Sequence, residues 1–182
     1  MAESAVGGKT LPRRWMAIGL SLTLLLQMGV LAAEYLGSVW PLWFGNAIMV
    51  RTAPVDPRSL FRGNYVQLSY AISSVDDKLT NDDFSYGEVG YVTLRKEGDL
   101  YVATGLQRER PSDGTFIRGR VRSTFNGYRL EYGIEAYFMP KDKALQTEKE
   151  VVQGARAEIY LLPSGKAAIS RLICDNGACG QD

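Results

Sequence analysis

The chain contains no histidine. That absence excludes Ser-His-Asp and Cys-His catalysis, histidine-ligated zinc and haem, and the commonest general base near neutral pH. An enzyme built from this chain would have to work with carboxylates, Lys, Tyr, Ser or its two cysteines. Those two, Cys174 and Cys179, stand together near the C-terminal end. Without histidine they make a poor zinc site, and C-x4-C is not the C-x-x-C spacing of redox dithiols. An excess of one charge is missing as well: 21 Lys and Arg face 20 Asp and Glu. Residues 1–33 hold Lys9, Arg13 and Arg14 against Glu3, which leaves 18 bases and 19 acids for the remainder. So nearly neutral a main domain gives no electrostatic reason to expect nucleic acid.

What the chain does have is one long apolar run. Trp15 to Ala33 carries no charge over 19 residues. At helical rise it spans roughly 28 Å, close to the hydrocarbon thickness of a bilayer. Gln27 is its one strongly polar residue. Arg13 and Arg14 precede the run and Glu34 comes after it, so the positive-inside rule puts the N-terminus in the cytoplasm. Tyr35, Trp40, Trp43 and Phe44 then suit an interfacial aromatic belt on the far side. Val30-Leu31-Ala32 before Ala33 also fits signal-peptide cleavage, and Arg13-Arg14 a twin-arginine signal. The apolar run exceeds a usual signal h-region, which favours an anchor. All three readings export the remainder of the polypeptide. The expectation is a single-pass protein of the inner (cytoplasmic) membrane, with the bilayer as partner through residues 15–33 and a periplasmic or extracytoplasmic C-terminal domain.

Beyond Pro41 the pattern becomes short alternating segments punctuated by Gly, Pro, Asn and Asp. It predicts strands near Ala47–Ala53, Asn64–Ser73, Val89–Lys96, Leu100–Arg108, Thr115–Ser123, Tyr128–Met139, Ala155–Leu162 and Ala167–Cys174. Glu97-Gly98-Asp99 and Pro163-Ser164-Gly165 are hairpin signals, and Pro111-Ser112-Asp113-Gly114 is a turn. One segment reads as helix, with Asp142 as N-cap, Gly154 as stop, and Leu145, Glu148, Val151 and Val152 on one face. The expected fold class is mainly β: an N-terminal transmembrane helix, then an antiparallel sandwich or barrel-like domain with one short α-helix. Residues 1–40 form the tail and anchor, and 41–182 the domain.

The most informative stretch runs from Thr52 to Tyr70. Pro54 and Pro57 stiffen an extended loop, and Gly63 permits a tight entry into the strand. Along that strand Asn64, Val66, Leu68, Tyr70 and Ile72 share one face, and Tyr65, Gln67, Ser69 and Ala71 the other. The plain account is a turn feeding a core strand, its loop pinned by Asp56, Arg58 and Arg62. The sharper account gathers Arg58 and Arg62 with Glu135 and Glu148 into a polar site. Arg118, Arg120 and Arg122 alternate along one strand and read as its wet face rather than an anion site. In an oxidising compartment Cys174 and Cys179 are candidates for a disulfide closing a small terminal loop.

The segment Gly63-Asn64-Tyr65-Val66-Gln67-Leu68-Ser69-Tyr70 resembles the signature of the bacterial family named for Gly-Asp-Tyr-x-x-Leu-x-Tyr, the GDYXXLXY proteins. Pro54-Val55-Asp56-Pro57-Arg58 and Leu60-Phe61-Arg62 before it are family-like. So are Tyr132-Gly133-Ile134-Glu135-Ala136-Tyr137-Phe138-Met139-Pro140 and the acid Glu148. The resemblance implies an exported or membrane-anchored protein without an established activity, accompanied in some members by a multi-pass membrane protein. Here the family Asp is Asn64, which removes a hard-metal ligand and a general acid/base from the motif. The loop is also locally similar to the nucleophile segment of membrane signal peptidases. There Pro54 occupies the nucleophile's place, no lysine-bearing motif is recognisable, and Ser59 lies beyond Pro57. The leading expectation is therefore a membrane-tethered accessory or binding module, with no cofactor or metal and no catalytic residue assigned. Its polar cluster would draw on Asp56, Arg58, Arg62, Asn64, Tyr65, Glu135 and Glu148. The alternatives are a hydrolase-like enzyme on the peptidase-type scaffold, a glycan-acting Glu135/Glu148 pair, and an anion site at Arg58 and Arg62.

Overall fold

The computed structural model describes residues 13–53, 65–123, 127–140, 143–144, 147, 150–151, 154–175 and 177–179. The chain divides into two compact units, Met1–Ser38 and Val39–Asp182. Helix α1 covers Arg13–Phe44. It continues past the uncharged run and through Pro41, in its last turn. Gly45 N–H donates to the Pro41 carbonyl at 2.8 Å and closes the helix.

The second unit is mainly β, with antiparallel sheets. Strands β1 (Asn46–Ala53), β2 (Tyr65–Gln67), β3 (Ser69–Tyr70), β4 (Ser74–Val75), β5 (Val89–Glu97) and β6 (Leu100–Gln107) come first. β7 (Thr115–Ser123), β8 (Tyr128–Glu131), β9 (Ala136–Phe138), β10 (Ala155–Leu161), β11 (Ala167–Cys174) and β12 (Gly177–Ala178) complete the order. One five-stranded sheet has the order β12-β11-β10-β1-β3, the other β4-β8-β7-β5-β6, and β2 pairs with β9 as a ribbon. Ile48, Val50, Ala157 and Ile159 of the first sheet share a buried core with Val92, Leu106, Ile117, Val121 and Leu130 of the second. The alternation that marked these segments as strands is what fills that core, since every second side chain points inward.

Two contacts begin to close the sandwich into a barrel. β6, an edge of the second sheet, runs against β1. On the other side, β8 pairs with β7 only at Arg120–Ser123. Below that point the β10–β11 turn takes over, and the Gly165 carbonyl accepts from Arg118 N–H at 2.8 Å.

Two predicted strands are interrupted, for one reason. The expected strand Asn64–Ser73 pairs first with β9 (Val66 opposite Tyr137) and then with β1 (Thr52 opposite Tyr70), and ends in a 3-10 turn at Ala71–Ser73. The chain changes partner at Leu68. The expected strand Tyr128–Met139 likewise leaves the second sheet after Glu131 and joins the ribbon at Ala136. Between them Gly133 adopts φ +82°, a left-handed conformation open to glycine at little cost. Lys143, Ala144, Thr147, Glu150 and Val151 are helical as expected, and among these described residues Ala144, Thr147 and Val151 are buried. Asp142, Leu145, Glu148 and Val152 lie outside the described residues.

Candidate functional site

The two crossovers meet. Leu68 N–H donates to the Glu135 carbonyl at 2.7 Å, and the Tyr70 hydroxyl donates to the Ile134 carbonyl at 2.5 Å. In return the Tyr132 hydroxyl donates to the Ile72 carbonyl. Val66, Leu68, Tyr70 and Ile72 are all buried, as their shared face predicts. Ser69, on the opposite face, is buried too, and its hydroxyl accepts from Arg129 at 3.2 Å. Burial pushes the Tyr70 and Tyr132 phenols up, and the nearby Glu135 carboxylate pushes them further the same way. Both therefore act as hydrogen-bond donors and not as titrating acids over the ordinary pH range.

Glu135 is committed to its own turn. One carboxylate oxygen accepts from Tyr132 N–H at 2.6 Å and the other from Gly133 N–H at 2.9 Å. Two amides that the chain frees on leaving β8 are satisfied in this way. Tyr65, from the other face of the strand, is half-buried against Phe138 with ring centroids 5.9 Å apart, and Phe138 itself is exposed. Asp56, Arg58, Arg62, Asn64 and Glu148, the other members of the expected cluster, lie outside the described residues.

The match that decides the family is extensive: the profile of the GDYXXLXY protein family covers residues 27–172. The chain belongs to the GDYXXLXY family. Neither a curated protein nor a solved structure matches it. In this GDYXXLXY protein the motif's leucine and second tyrosine are core residues. The family-like block at residues 132–140 supplies the carbonyls of Glu135 and Ile134 that tie them down.

The remaining sequence features fall elsewhere in the domain. Arg118, Arg120 and Arg122 are exposed on the outer face of β7. Arg120 donates to the Gly87 carbonyl at 2.7 Å, and Arg122 pairs with Glu131 at 2.6 Å and lies over the Tyr86 ring. Glu131, joined by the Tyr86 hydroxyl, holds the Arg122 guanidinium above its ordinary value. Cys174 and Cys179 are disulfide-bonded with Cα atoms 5.1 Å apart, across the β11–β12 hairpin. Glu150 lies beside the two sulfurs, within 4.8 Å. With the sulfurs joined to one another neither is a thiolate, so the trio is not a metal site as it stands. Sequence reasoning missed Thr147, whose fully buried hydroxyl has no hydrogen-bond partner among the described residues. Its only signal was the phase of the apolar positions around it.

Proposed function

We propose that this protein is a single-pass protein of the bacterial cytoplasmic membrane, with its N-terminus inside. Its β domain works on the far side as an accessory or binding module for a membrane-protein partner. The observation that carries the reading is the surface of α1. Of the twenty large apolar side chains exposed among the described residues, seventeen lie on this helix, and just three (Leu79, Tyr86 and Phe138) lie elsewhere. A helix apolar on every side has no stable place in water, where each such side chain forgoes about 1.5–3 kcal/mol of burial. The same helix is long and apolar enough to cross a membrane. Paired arginines at its start favour the cytoplasmic N-terminus. The engagement of both Glu135 oxygens by backbone amides supports a binding role over acid-base catalysis.

A phosphatase fused after Asp182 should be active in intact cells, and the intact mass should retain residues 1–32. Purification in mild detergent should bring down a multi-pass membrane protein. An inactive fusion would reverse the topology, and a protein recovered strictly alone would end the accessory role.

A further inference from the structure

We propose that the β domain takes an extended segment of its membrane-protein partner as an added strand between β9 and β11. This rests on the reading of the domain as a binding module and names how the partner is held. A groove of about 560 Å³ is lined by residues 137–140, in β9 and just beyond it, and by residues 171–173 of β11. Successive side chains of a strand point to opposite faces, so a run of consecutive lining residues presents an edge. Neither edge is covered by a neighbouring strand there. β9 pairs with β2 alone, and β12 stands opposite Ile173 and Cys174 but not opposite Leu172.

The bonds already made orient the main chain of both strands. Leu68 N–H donates to the Glu135 carbonyl, which turns the polar groups of residue 135 toward the β2 side. In an antiparallel ladder those groups alternate sides residue by residue, so Tyr137 faces β2 and Phe138 faces away. Asp175 N–H likewise donates to the Gly154 carbonyl next to β10, so Ile173 faces β10 and Leu172 faces away. Phe138 and Leu172 both line the groove, and neither has a main-chain hydrogen bond on that side among the described residues. A strand edge left in this state is a template for another main chain.

The geometry selects an isolated segment as the occupant. A chain lying between two edges bonds to one and then the other at alternate residues, as a central strand does. Every strand of the domain already has a partner along one side, so a second folded copy would satisfy one edge and not both. Charge agrees with an uncharged insert: Arg171, the charged residue in the lining, is neutralised by Glu158 at 3.0 Å. The Phe138 ring, 76% exposed and flanked by Tyr65, offers an apolar contact to the side chain that comes to lie beside it.

The test supplies such a segment on a tether. Cys179 lines the groove, and residues 180–182 with a Gly-Ser linker of about five residues reach up to roughly 28 Å. The full chain is prepared in mild detergent with Thr-Val-Thr-Val-Thr-Val after the linker, and with Thr-Pro-Thr-Pro-Thr-Pro as the control. Hydrogen exchange at the Phe138 and Leu172 amides should slow roughly ten-fold or more with the first tail and stay unchanged with the second. Phe138→Pro, tolerable where an edge N–H has no partner, should lower the protection of Leu172 several-fold. The multi-pass partner should co-purify with the control and be lost from the strand-tailed chain, whose groove is filled. Equal exchange with both tails overturns the strand site, and so does a partner retained by the strand-tailed chain. In either case co-purification with the control leaves the binding module standing. Protection of Leu172 that Phe138→Pro leaves unchanged removes β9 from the site and overturns insertion between two edges. A partner absent from every version overturns both readings.

Discussion

Tyr70 and Tyr132 are the two side chains by which the crossovers hold each other. Each is buried, each donates to a carbonyl more than fifty residues away in sequence, and each feels the same carboxylate. The burial fixes the sign of their pH effect. An unfolded tyrosine ionises near its ordinary value of 10.0, whereas these two stay protonated in the fold well above it. Above that pH the unfolded state binds fewer protons, so stability falls as pH rises, and the loss continues until the folded phenols themselves ionise. Each phenol contributes about 1.4 kcal/mol per pH unit. Alkaline unfolding followed by tyrosinate absorbance should begin close to pH 10 and lose steepness in Tyr70→Phe and in Tyr132→Phe. Each variant should also cost about 1–3 kcal/mol at neutral pH, because a buried carbonyl loses its donor. A pH profile unaltered by both substitutions would contradict this assignment.

At the scale of elements, the second and third strands are short because the chain passes between partners, and Glu135 is what makes the opposing turn tolerable. The C-terminal hairpin is held differently. β12 contributes two residues at the edge of the first sheet, too few to persist by pairing alone, and the Cys174–Cys179 bond closes it. The hairpin also touches the residue that ends the helical segment, where Asp175 N–H donates to the Gly154 carbonyl at 3.2 Å. By loop-closure entropy a ring this small stabilises the fold by about 2 kcal/mol. Reduction, or Cys174→Ser with Cys179→Ser, should therefore lower the unfolding midpoint in urea modestly and leave the slope unchanged. Hydrogen exchange should rise first in the β11–β12 hairpin and in the adjoining helical segment. Uniform loss of protection across both sheets would show that the bond supports the whole core instead.

For the molecule as a whole, the division at Ser38/Val39 and the composition of the core make one clear demand. Every residue of the buried hydrophobic cluster belongs to the second unit, from Ile48 onward. A chain beginning at Gly45 should therefore fold in water without detergent, with the far-ultraviolet circular dichroism of a β protein. The full chain should need detergent or lipid. An aggregated or unstructured fragment would mean that the core depends on the helix.

Much of this architecture is legible in the residues taken one after another. The apolar run with its paired arginines, the strand alternation, the hairpins at Gly98 and Gly165 and the inward face of Val66, Leu68, Tyr70 and Ile72 are local properties. Each depends on side-chain periodicity or on backbone freedom within a few residues. The motif resemblance located the stretch in which the strand changes partner. It did not reveal why, because alternation says which way a side chain points and nothing about which strand will accept its backbone hydrogen bonds. Only the folded chain shows that Leu68 is where the strand leaves β9 for β1, and that the loop at Gly133 exists to leave one sheet for another. The same limit applies to Glu135. Its sequence context marks it as an acid in a family-like block, and its role as a cap for two amides comes from a turn that tertiary pairing creates. The physical reason is distance along the chain: the Tyr70 and Ile134 that bond to one another are 64 residues apart, and no local pattern encodes their meeting.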